Sequence, residues 1–363
     1  MSEVLFVAGR MGAVVKYIGS KRALLPWIED VVGRIAAIDP LREAVDLFSG
    51  SARVGHALKR MGLRVTANDL YAYAVTLARA LVEADALSYP KERLEPILAR
   101  LQALEGRAGW FTRTYCQASR YFQPHNGAKI EAIREAIELE SAGDEHLRAI
   151  LLCSLLLAAD RVDSTTGIQM AYLKRWAPRS YHRLTLTYPP LLPGAGRAIQ
   201  GDALEIAPQL EADLFYLDPP YNQHSYLGNY HLWETLVRWD KPATYGVARK
   251  RADVREHKSP FNSKRRAKGA MEKLLGSLRS KHLLLSFNNE GFLSMAELKA
   301  LLKDWGYVIC LERPYRRYVG ARIGIYNPQG QKVGRVSHTE NREFLFVATQ
   351  SKRVQQALLT LAR

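Results

Sequence analysis

Cysteine is scarce in this 363-residue sequence. Its three cysteines, Cys116, Cys153 and Cys310, lie far apart and form no CxxC pair, which excludes a disulfide framework and a zinc site of the usual ligand spacing. Long apolar runs are also absent, since the most apolar stretch, residues 149–159, is too short to cross a bilayer. The sequence shows no basic-then-apolar secretory signal. We therefore expect a cytoplasmic protein with reduced thiols and no membrane partner.

Glycine motifs that bind phosphate groups are missing as well. Gly50 and Gly55 are separated by four residues and lack the central pattern of the dinucleotide fingerprint G-x-G-x-x-G. A P-loop has this glycine spacing but continues with Lys and Ser or Thr, whereas His56 and Ala57 follow here. These differences argue against a nucleoside triphosphate site and make a dinucleotide-dependent oxidoreductase a less favoured alternative.

Acidic residues are outnumbered, because 36 Asp and Glu face 52 Lys and Arg, which gives a net charge of +16. A surplus of this size favours a polyanionic partner, since neutralising phosphates releases condensed counterions. We predict that six cations from two basic stretches contact nucleic-acid phosphates, and the first stretch has Tyr115 and Tyr121 interleaved with its cations. The six cations are Arg113, Arg120, Lys264, Arg265, Arg266 and Lys268.

The first elements of the chain follow the pattern of a βαβ unit. An apolar run at 44–48 predicts a strand, residues 49–51 predict a turn, and apolar residues at helical spacing predict a helix over 52–61. Gly62 stands where a helix commonly ends, and a second strand is predicted over 64–68. This opening is typical of a doubly wound parallel sheet, so the predicted fold class is α/β with a Rossmann-like sheet.

Helical patterns dominate residues 85–184, which we interpret as a mainly helical insertion. The remaining residues, 1–84 and 185–363, are predicted to form one catalytic domain. The stretch 240–281 is dense in Lys and Arg, and we expect it to loop over the edge of the sheet. Further elements are predicted as strands at 214–217, 282–287, 307–312 and 344–348 and a helix at 294–305.

Asp69 follows the second predicted strand and stands 23 positions after Asp46. This is close to the ~20 positions expected for an acid that binds the ribose hydroxyls of a nucleoside. The glycine turn at Gly50 would let such a ligand approach the backbone closely. Because the sequence matches neither the dinucleotide fingerprint nor the P-loop well, a nucleoside cofactor without phosphate fits best, such as S-adenosylmethionine.

A rigid acidic motif, Asp218-Pro219-Pro220-Tyr221, follows another predicted buried strand. The two prolines exclude helix and stiffen the backbone at the carboxyl edge of the sheet, where ligands bind in such folds. The carboxylate of Asp218 and the carbonyl of Pro219 can accept both hydrogens of an amino group. The ring of Tyr221 can stack on a planar base.

These motifs together resemble the D12 class of DNA N6-adenine methyltransferases, the Dam-like family. The similarity covers roughly residues 14–80 and 197–350, and the helical insertion falls where this family carries its target-recognition region. The blocks that carry the resemblance are Lys16–Lys21, Asp46–Gly50, Asp69, Asp218–Tyr221 and the closing segment Glu340–Phe346.

The resemblance implies a role for each matching residue. Asp218, Pro219 and Tyr221 would be catalytic, and Asp218 would also lie near the amino-acid end of S-adenosylmethionine. Lys21 would lie near the carboxylate of the cofactor, and Asp202 would contact its adenine. The full set of implied cofactor-binding residues is Tyr17, Lys21, Asp46, Phe48, Gly50, Asp69, Asp202 and Asp218.

The activity implied by the resemblance is site-specific methylation at N6 of an adenine flipped out of duplex DNA. The alternatives are methylation of N4 of cytosine or of a base in ribosomal RNA. A non-catalytic DNA-binding protein is a further alternative, although Asp218 argues against it because an acid facing phosphates weakens binding. We predict no metal site, because His224 and His231 lack a third ligand nearby. A monomer is expected, and an accompanying restriction endonuclease is possible for this family.

Overall fold

The structure is a computed structural model that describes residues 15–256, 259–316, 325–326, 332–334 and 340–361. The strands of the main sheet are β1 Glu43–Asp46, β2 Arg64–Asp69, β3 Arg197–Gln200, β4 Glu211–Leu217, β7 Arg279–Asn288, β8 Tyr307–Arg316 and β11 Glu340–Thr349. These seven strands are arranged in the order β3-β2-β1-β4-β7-β11-β8. Two short hairpins pair β5 Thr244–Tyr245 with β6 Lys250–Arg251 and β9 Ile325–Tyr326 with β10 Lys332–Gly334.

Helices cover the sheet and form most of the segment between β2 and β3. The helices are α1 Leu25–Ala36, α2 Arg53–Arg60, α3 Ala72–Ala78, α4 Lys91–Ala103, α5 Trp110–Thr112, α6 Pro124–Glu140, α7 Glu145–Val162, α8 Ala203–Ile206, α9 Tyr226–Asn229, α10 His231–Arg238, α11 Ala267–Ser277, α12 Met295–Leu302 and α13 Lys352–Leu359. Turns of π-helix extend α3 over Arg79–Glu83 and α5 over Arg113–Gln117.

The central strands β3, β2, β1, β4 and β7 run parallel, whereas β11 runs antiparallel between β7 and β8. The carboxyl ends of β1, β2 and β4 therefore meet at one edge of the sheet, which brings together motifs far apart in sequence. The predicted Rossmann-like α/β fold class is confirmed. The strand and helix positions predicted from periodicity are also confirmed, with differences of a few residues at their ends.

One apolar core joins the segment 85–184 to the rest of the chain. Leucines and alanines of α7 belong to the same buried cluster as Val65 of β2 and Leu284 of β7. Arg134 of α6 is fully buried and donates hydrogen bonds to the carbonyls of Leu236 and Val237, which end α10. This segment is mainly helical, as predicted, and it packs as one body with the sheet. Its role as a target-recognition insertion stays a prediction.

The expectation that residues 240–281 form only loops is wrong. The hairpin of β5 and β6 is held by Arg251, whose buried guanidinium pairs with Asp240 and Asp253 at 2.7 Å. Helix α11 follows, because Ala270, Met271 and Leu274 recur at helical spacing and are buried. Charge density concealed this apolar stripe in the sequence. The basic loop is therefore confined to the segment before α11.

Candidate active site

The turn after β1 depends on Gly50, whose φ of +53° is a left-handed conformation that favours glycine. The Gly50 amide donates a hydrogen bond to Asp69 Oδ2 at 2.8 Å. A Cβ atom at this position would lie 3.0–3.2 Å from atoms of the Tyr17 ring. Glycine is thus required both by the backbone conformation and by the aromatic ring packed against it.

Asp46 ends β1 and is almost completely buried, with 1% of its surface exposed. Its Oδ2 accepts a hydrogen bond from the Gly55 amide at 2.8 Å, in the first turn of α2. Burial raises the pKa of Asp46 to about 7, although the Gly55 amide opposes this rise, and the nearby carboxylates Asp218 and Asp69 add to it. Asp46 can therefore change its charge near neutral pH.

Asp69 ends β2 beside the glycine turn. Its Oδ1 accepts a hydrogen bond from the Tyr71 amide at 3.1 Å, and its Oδ2 is held by the Gly50 amide. Burial raises the pKa of Asp69, and these backbone amides oppose the rise. Two backbone anchors thus fix the carboxylate at the mouth of the turn, where it can accept hydrogen bonds from ribose hydroxyls.

A wall of tyrosines stands opposite the glycine turn. The Tyr17 ring lies nearly parallel to those of Tyr230 and Tyr226, with centroid distances of 4.6 and 5.4 Å. Its hydroxyl lies 3.1 Å from that of Tyr73, and Glu234 fixes Tyr73 by accepting from its amide at 3.0 Å. Tyr17 was predicted from the sequence, but Tyr226 and Tyr230 were missed, and their spacing of four residues was the available signal.

Lys21 lines the cleft and forms ion pairs with two buried carboxylates, while its predicted contact with the cofactor carboxylate stays a prediction. Its Nζ lies 3.1 Å from Asp218 Oδ1 and 3.5 Å from Glu343 Oε2, and its side chain is 4% exposed. Burial lowers the pKa of Lys21, but the two carboxylates outweigh this effect and raise it well above the usual value. Burial likewise raises the pKa of Asp218 to about 6. The Lys21 charge opposes this rise, and the Glu343 charge adds to it. Glu343 was not among the predicted site residues.

Pro220 lines the cleft together with Asp218, whereas Pro219 and Tyr221 of the acidic motif lie beside it. Pro219 is buried, and the Tyr221 ring packs against Phe287 with centroids 5.5 Å apart and planes 60° apart. The Tyr221 carbonyl accepts a hydrogen bond from the Phe292 amide at 2.8 Å. The backbone of the motif is therefore fixed from both sides, by its prolines and by this bond.

A segment before α11 reaches the cleft, which the sequence did not reveal. Ser259, Phe261 and Asn262 line it, and the Phe261 ring meets the Phe48 ring edge-on at 5.5 Å. Asn262 Nδ2 donates to the carbonyls of Asn222, at 2.7 Å, and His224, at 3.0 Å. One amide thus joins the basic segment to the loop that follows the acidic motif.

These elements surround an open cleft with about 880 Å³ of space, part of which is continuous with solvent. The cleft brings together all eight predicted cofactor-binding residues, including Phe48 and Asp202. Asp202 caps α8 through a hydrogen bond that Oδ1 accepts from the Leu204 amide at 2.9 Å. Within the described part of the chain, the buried atoms Asn68 Oδ1 and Ser20 Oγ have no hydrogen-bond partner. Such atoms call for a polar ligand.

The predicted phosphate contacts fall into two groups. Lys264, Arg265, Arg266 and Lys268 are all exposed. Arg113 is exposed too, but the Arg120 guanidinium lies over the Trp176 ring, 4.7 Å from its centroid. Tyr115, between these two arginines, and Tyr121, directly after Arg120, are fully buried and cannot stack on a base from the surface.

Neither a membrane span nor a metal centre is present in the part of the chain that the structure describes. No helix there is long and apolar enough to cross a membrane. No group of three or more His, Cys, Asp or Glu side chains there is arranged to hold a metal ion. His231 is buried, and its ring nitrogen lies 3.0 Å from the Gln169 carbonyl.

The strand order and the cleft define a Rossmann-like methyltransferase, a class that generally uses S-adenosylmethionine. The model of the D12 class N6 adenine-specific DNA methyltransferase family matches residues 17–296. The chain belongs to this family, which confirms the resemblance found in the sequence.

Named relatives are similar over most of this chain. It is 31% identical over 327 residues to the modification methylase StsI of Streptococcus sanguinis and 31% over 318 residues to the Type II methyltransferase M.NlaIII of Neisseria lactamica. It is 30% identical over 325 residues to the Type II methyltransferase M.FokI of Planomicrobium okeanokoites. The alignments cover 84–85% of this chain, 92% of M.NlaIII, and 50% of StsI and M.FokI. The chain thus spans about half the length of two of these relatives.

Proposed function

We propose that this protein transfers a methyl group from S-adenosylmethionine to N6 of an adenine at a specific site in duplex DNA. The observation that carries the proposal is the position of Asp218. It stands at the end of β4 in the wall of a cleft that also contains Asp46 and Asp69. Membership of an adenine-specific family and relatives named as modification methylases support the same reaction.

The side chains of the cleft suit this cofactor better than a phosphorylated one. Four carboxylates line the cleft, from Asp46, Asp69, Asp202 and Asp218, against the cations of Lys21 and Arg53. This balance favours a ligand with a sulfonium and an ammonium group and disfavours a pyrophosphate. We assign cofactor binding to the eight predicted residues, with Asp69 at the ribose and Asp202 at the adenine.

The chain's own task is to activate a weak nucleophile. An adenine amino nitrogen delocalises its lone pair into the ring, so hydrogen bonds from its two hydrogens to Asp218 and to the Pro219 carbonyl would favour attack. Tyr221 would stack on the extruded base. S-adenosylmethionine, when bound, supplies a methyl group whose bonding electrons stay on sulfur. The methylated nitrogen then loses one proton to solvent.

The partners are proposed on the same basis. DNA phosphates would contact Lys264, Arg265, Arg266, Lys268, Arg113 and Arg120, and residues 85–184 would contribute to target recognition. Two relatives bear names of Type II methyltransferases, which supports a restriction endonuclease as a companion in the cytoplasm. We propose a monomer as the active species.

The test is to incubate the protein with radiolabelled S-adenosylmethionine and unmethylated genomic DNA and to identify the labelled nucleoside. We expect N6-methyl-2′-deoxyadenosine from the wild type and none from Asp218→Ala. The folded state of that variant is checked by circular dichroism and by thermal unfolding, because Asp218 is itself assigned to cofactor binding. Label in N4-methylcytosine would correct the base, and label found only in RNA would overturn the DNA assignment.

A further inference from the structure

Glu343 is the unexplained charge beside the acidic motif. It lies on β11, opposite Asn288 of β7 and Arg313 of β8, and 5% of its surface is exposed. Burying a carboxylate is costly unless close partners compensate for the water it loses. The partners here are distant, because Lys21 Nζ and Asn288 Nδ2 both lie 3.5 Å from its oxygens. A purely stabilising role therefore explains this carboxylate poorly.

The position of Glu343 relative to Lys21 and Asp218 suggests another role. The Lys21 ammonium lies between the two carboxylates, at 3.1 Å from Asp218 and 3.5 Å from Glu343. A lysine paired with Asp218 alone would neutralise it and compete for its lone pairs. A second carboxylate adds a negative charge that offsets part of the ammonium's attraction for the Asp218 charge.

We propose that Glu343 is a positioning residue that shares the Lys21 ammonium with Asp218 and so leaves Asp218 free to accept the substrate's amino group. The consequence for catalysis rests on the proposed function, whereas the sharing itself is a property of the unliganded protein. Glu343 does not line the described cleft. Its effect on cofactor affinity should therefore be small.

Charge sharing predicts a direction for the titration of Asp218. The Glu343 charge raises the pKa of Asp218 and the Lys21 charge lowers it, so Glu343→Gln should lower this pKa and Lys21→Met should raise it. The other groups that face Asp218 are Asp46, Tyr216, Tyr221 and Tyr226. The tyrosines have pKa values raised by burial and stay neutral near pH 7. Asp46 titrates in the same range but is present in every variant.

The first measurement needs no methyl transfer. Carbon NMR of protein labelled at the aspartate side-chain carboxyls follows the titration of Asp218, with its signal assigned from Asp218→Asn. We expect the midpoint to move to lower pH in Glu343→Gln and to higher pH in Lys21→Met. The matched control is Glu312→Gln, which removes an exposed carboxylate paired with Arg342 at 2.8 Å and should leave the midpoint in place.

The second measurement is kcat and KM from pH 5 to 9. For Glu343→Gln we expect kcat at the plateau to fall about tenfold or more, an acid limb at lower pH, and unchanged binding of S-adenosylhomocysteine. Glu343→Asp should restore part of the rate. An unmoved midpoint and acid limb in a folded Glu343→Gln variant would overturn the proposal. If the NMR midpoint of Asp218 moves in the variants as expected but the wild-type protein methylates nothing, the proposed function is refuted and the charge sharing stands.

Discussion

The Gly50 amide and Asp69 Oδ2 are joined by a 2.8 Å hydrogen bond, which connects the turn after β1 to the end of β2. Gly50→Ala should disturb this connection, because its φ is +53° and the added Cβ would meet the Tyr17 ring at 3.0–3.2 Å. We expect a decrease of about 1–2 kcal/mol in the free energy of unfolding. Calorimetric titration should also show at least about tenfold weaker binding of S-adenosylmethionine.

Gly62→Ala is the matched control for this substitution. Gly62 has a φ of +90°, and an added Cβ there would meet nothing within 4 Å. This control carries the backbone strain without a contact to Tyr17, so it should lose stability and keep its affinity for the cofactor. Equally weakened binding in both variants would show that strain alone, rather than the Tyr17 contact, controls the cleft.

The basic segment formed by the residues just before α11 and by the first turn of that helix should contribute to the salt dependence of DNA binding. Changing Lys264, Arg265, Arg266 and Lys268 to Gln removes four exposed charges. For each phosphate that is no longer neutralised, the slope of log K against log salt should become shallower by about 0.9. Fluorescence anisotropy at several salt concentrations measures this slope on duplex DNA.

The control for the basic segment removes the same charge from the opposite edge of the sheet. It changes four exposed cations near the amino ends of β1, β2 and β7, away from the carboxyl edge where the cleft lies. These cations are Arg42, Arg64, Arg279 and Lys281. If this control reduces the slope as much, the effect reflects net charge and the proposed contact surface is wrong.

The parallel strands made much of the site predictable from the sequence. Asp46 lies within one predicted strand, Asp69 and Asp218 follow two others, and parallel topology brings the carboxyl ends of such strands to one edge. Six of the eight predicted cofactor-binding residues lie at or just after the ends of β1, β2, β3 and β4, whereas Tyr17 and Lys21 come from the segment before α1. All eight line the cleft, and their contacts with the cofactor stay a prediction.

Residues that reach the site across other elements could not be found this way. Glu343 comes from an antiparallel strand, so its approach to Lys21 depends on a register that periodicity does not specify. Asn262 reaches the loop at Asn222 from a short 3₁₀ turn inside a charged stretch. Helix α11 was missed because its apolar stripe is interrupted by lysines.

Asn262→Ala should loosen the loop that follows the acidic motif. The substitution removes both amide bonds to the carbonyls of Asn222 and His224. We expect kcat/KM for DNA to fall about fivefold to twentyfold, because these bonds contribute about 1–2 kcal/mol to positioning the loop. Hydrogen exchange of loop amides should rise. Gln209→Ala removes a similar bond to the Glu205 carbonyl at 2.8 Å. This control should change neither kcat/KM for DNA nor the hydrogen exchange of the loop. Unchanged loop exchange in Asn262→Ala would contradict the role of this amide.

Asp46 should make the stability of the unliganded protein depend on pH. Burial raises its pKa from an ordinary value near 4 to about 7, so the folded state holds a proton that the unfolded state releases. The contribution of Asp46 to stability therefore falls as pH rises from about 4 to 7, by up to about 1.4 kcal/mol per pH unit. Asp160 and Asp218, with pKa values of about 6, act in the same direction.

Asp46→Asn should flatten this dependence and change cofactor binding in the opposite sense. Denaturant unfolding between pH 5 and 7 should show a less negative slope for the variant, because one buried proton no longer distinguishes the folded state. Wild-type affinity for S-adenosylmethionine should rise as Asp46 ionises between pH 5.5 and about 7.5, where the ligand's amino group stays largely protonated. The variant should lack that rise. Equal pH dependence of affinity in both proteins would mean that Asp46 does not contact the cationic end of the cofactor, and that its burial serves only to cap α2 through Gly55.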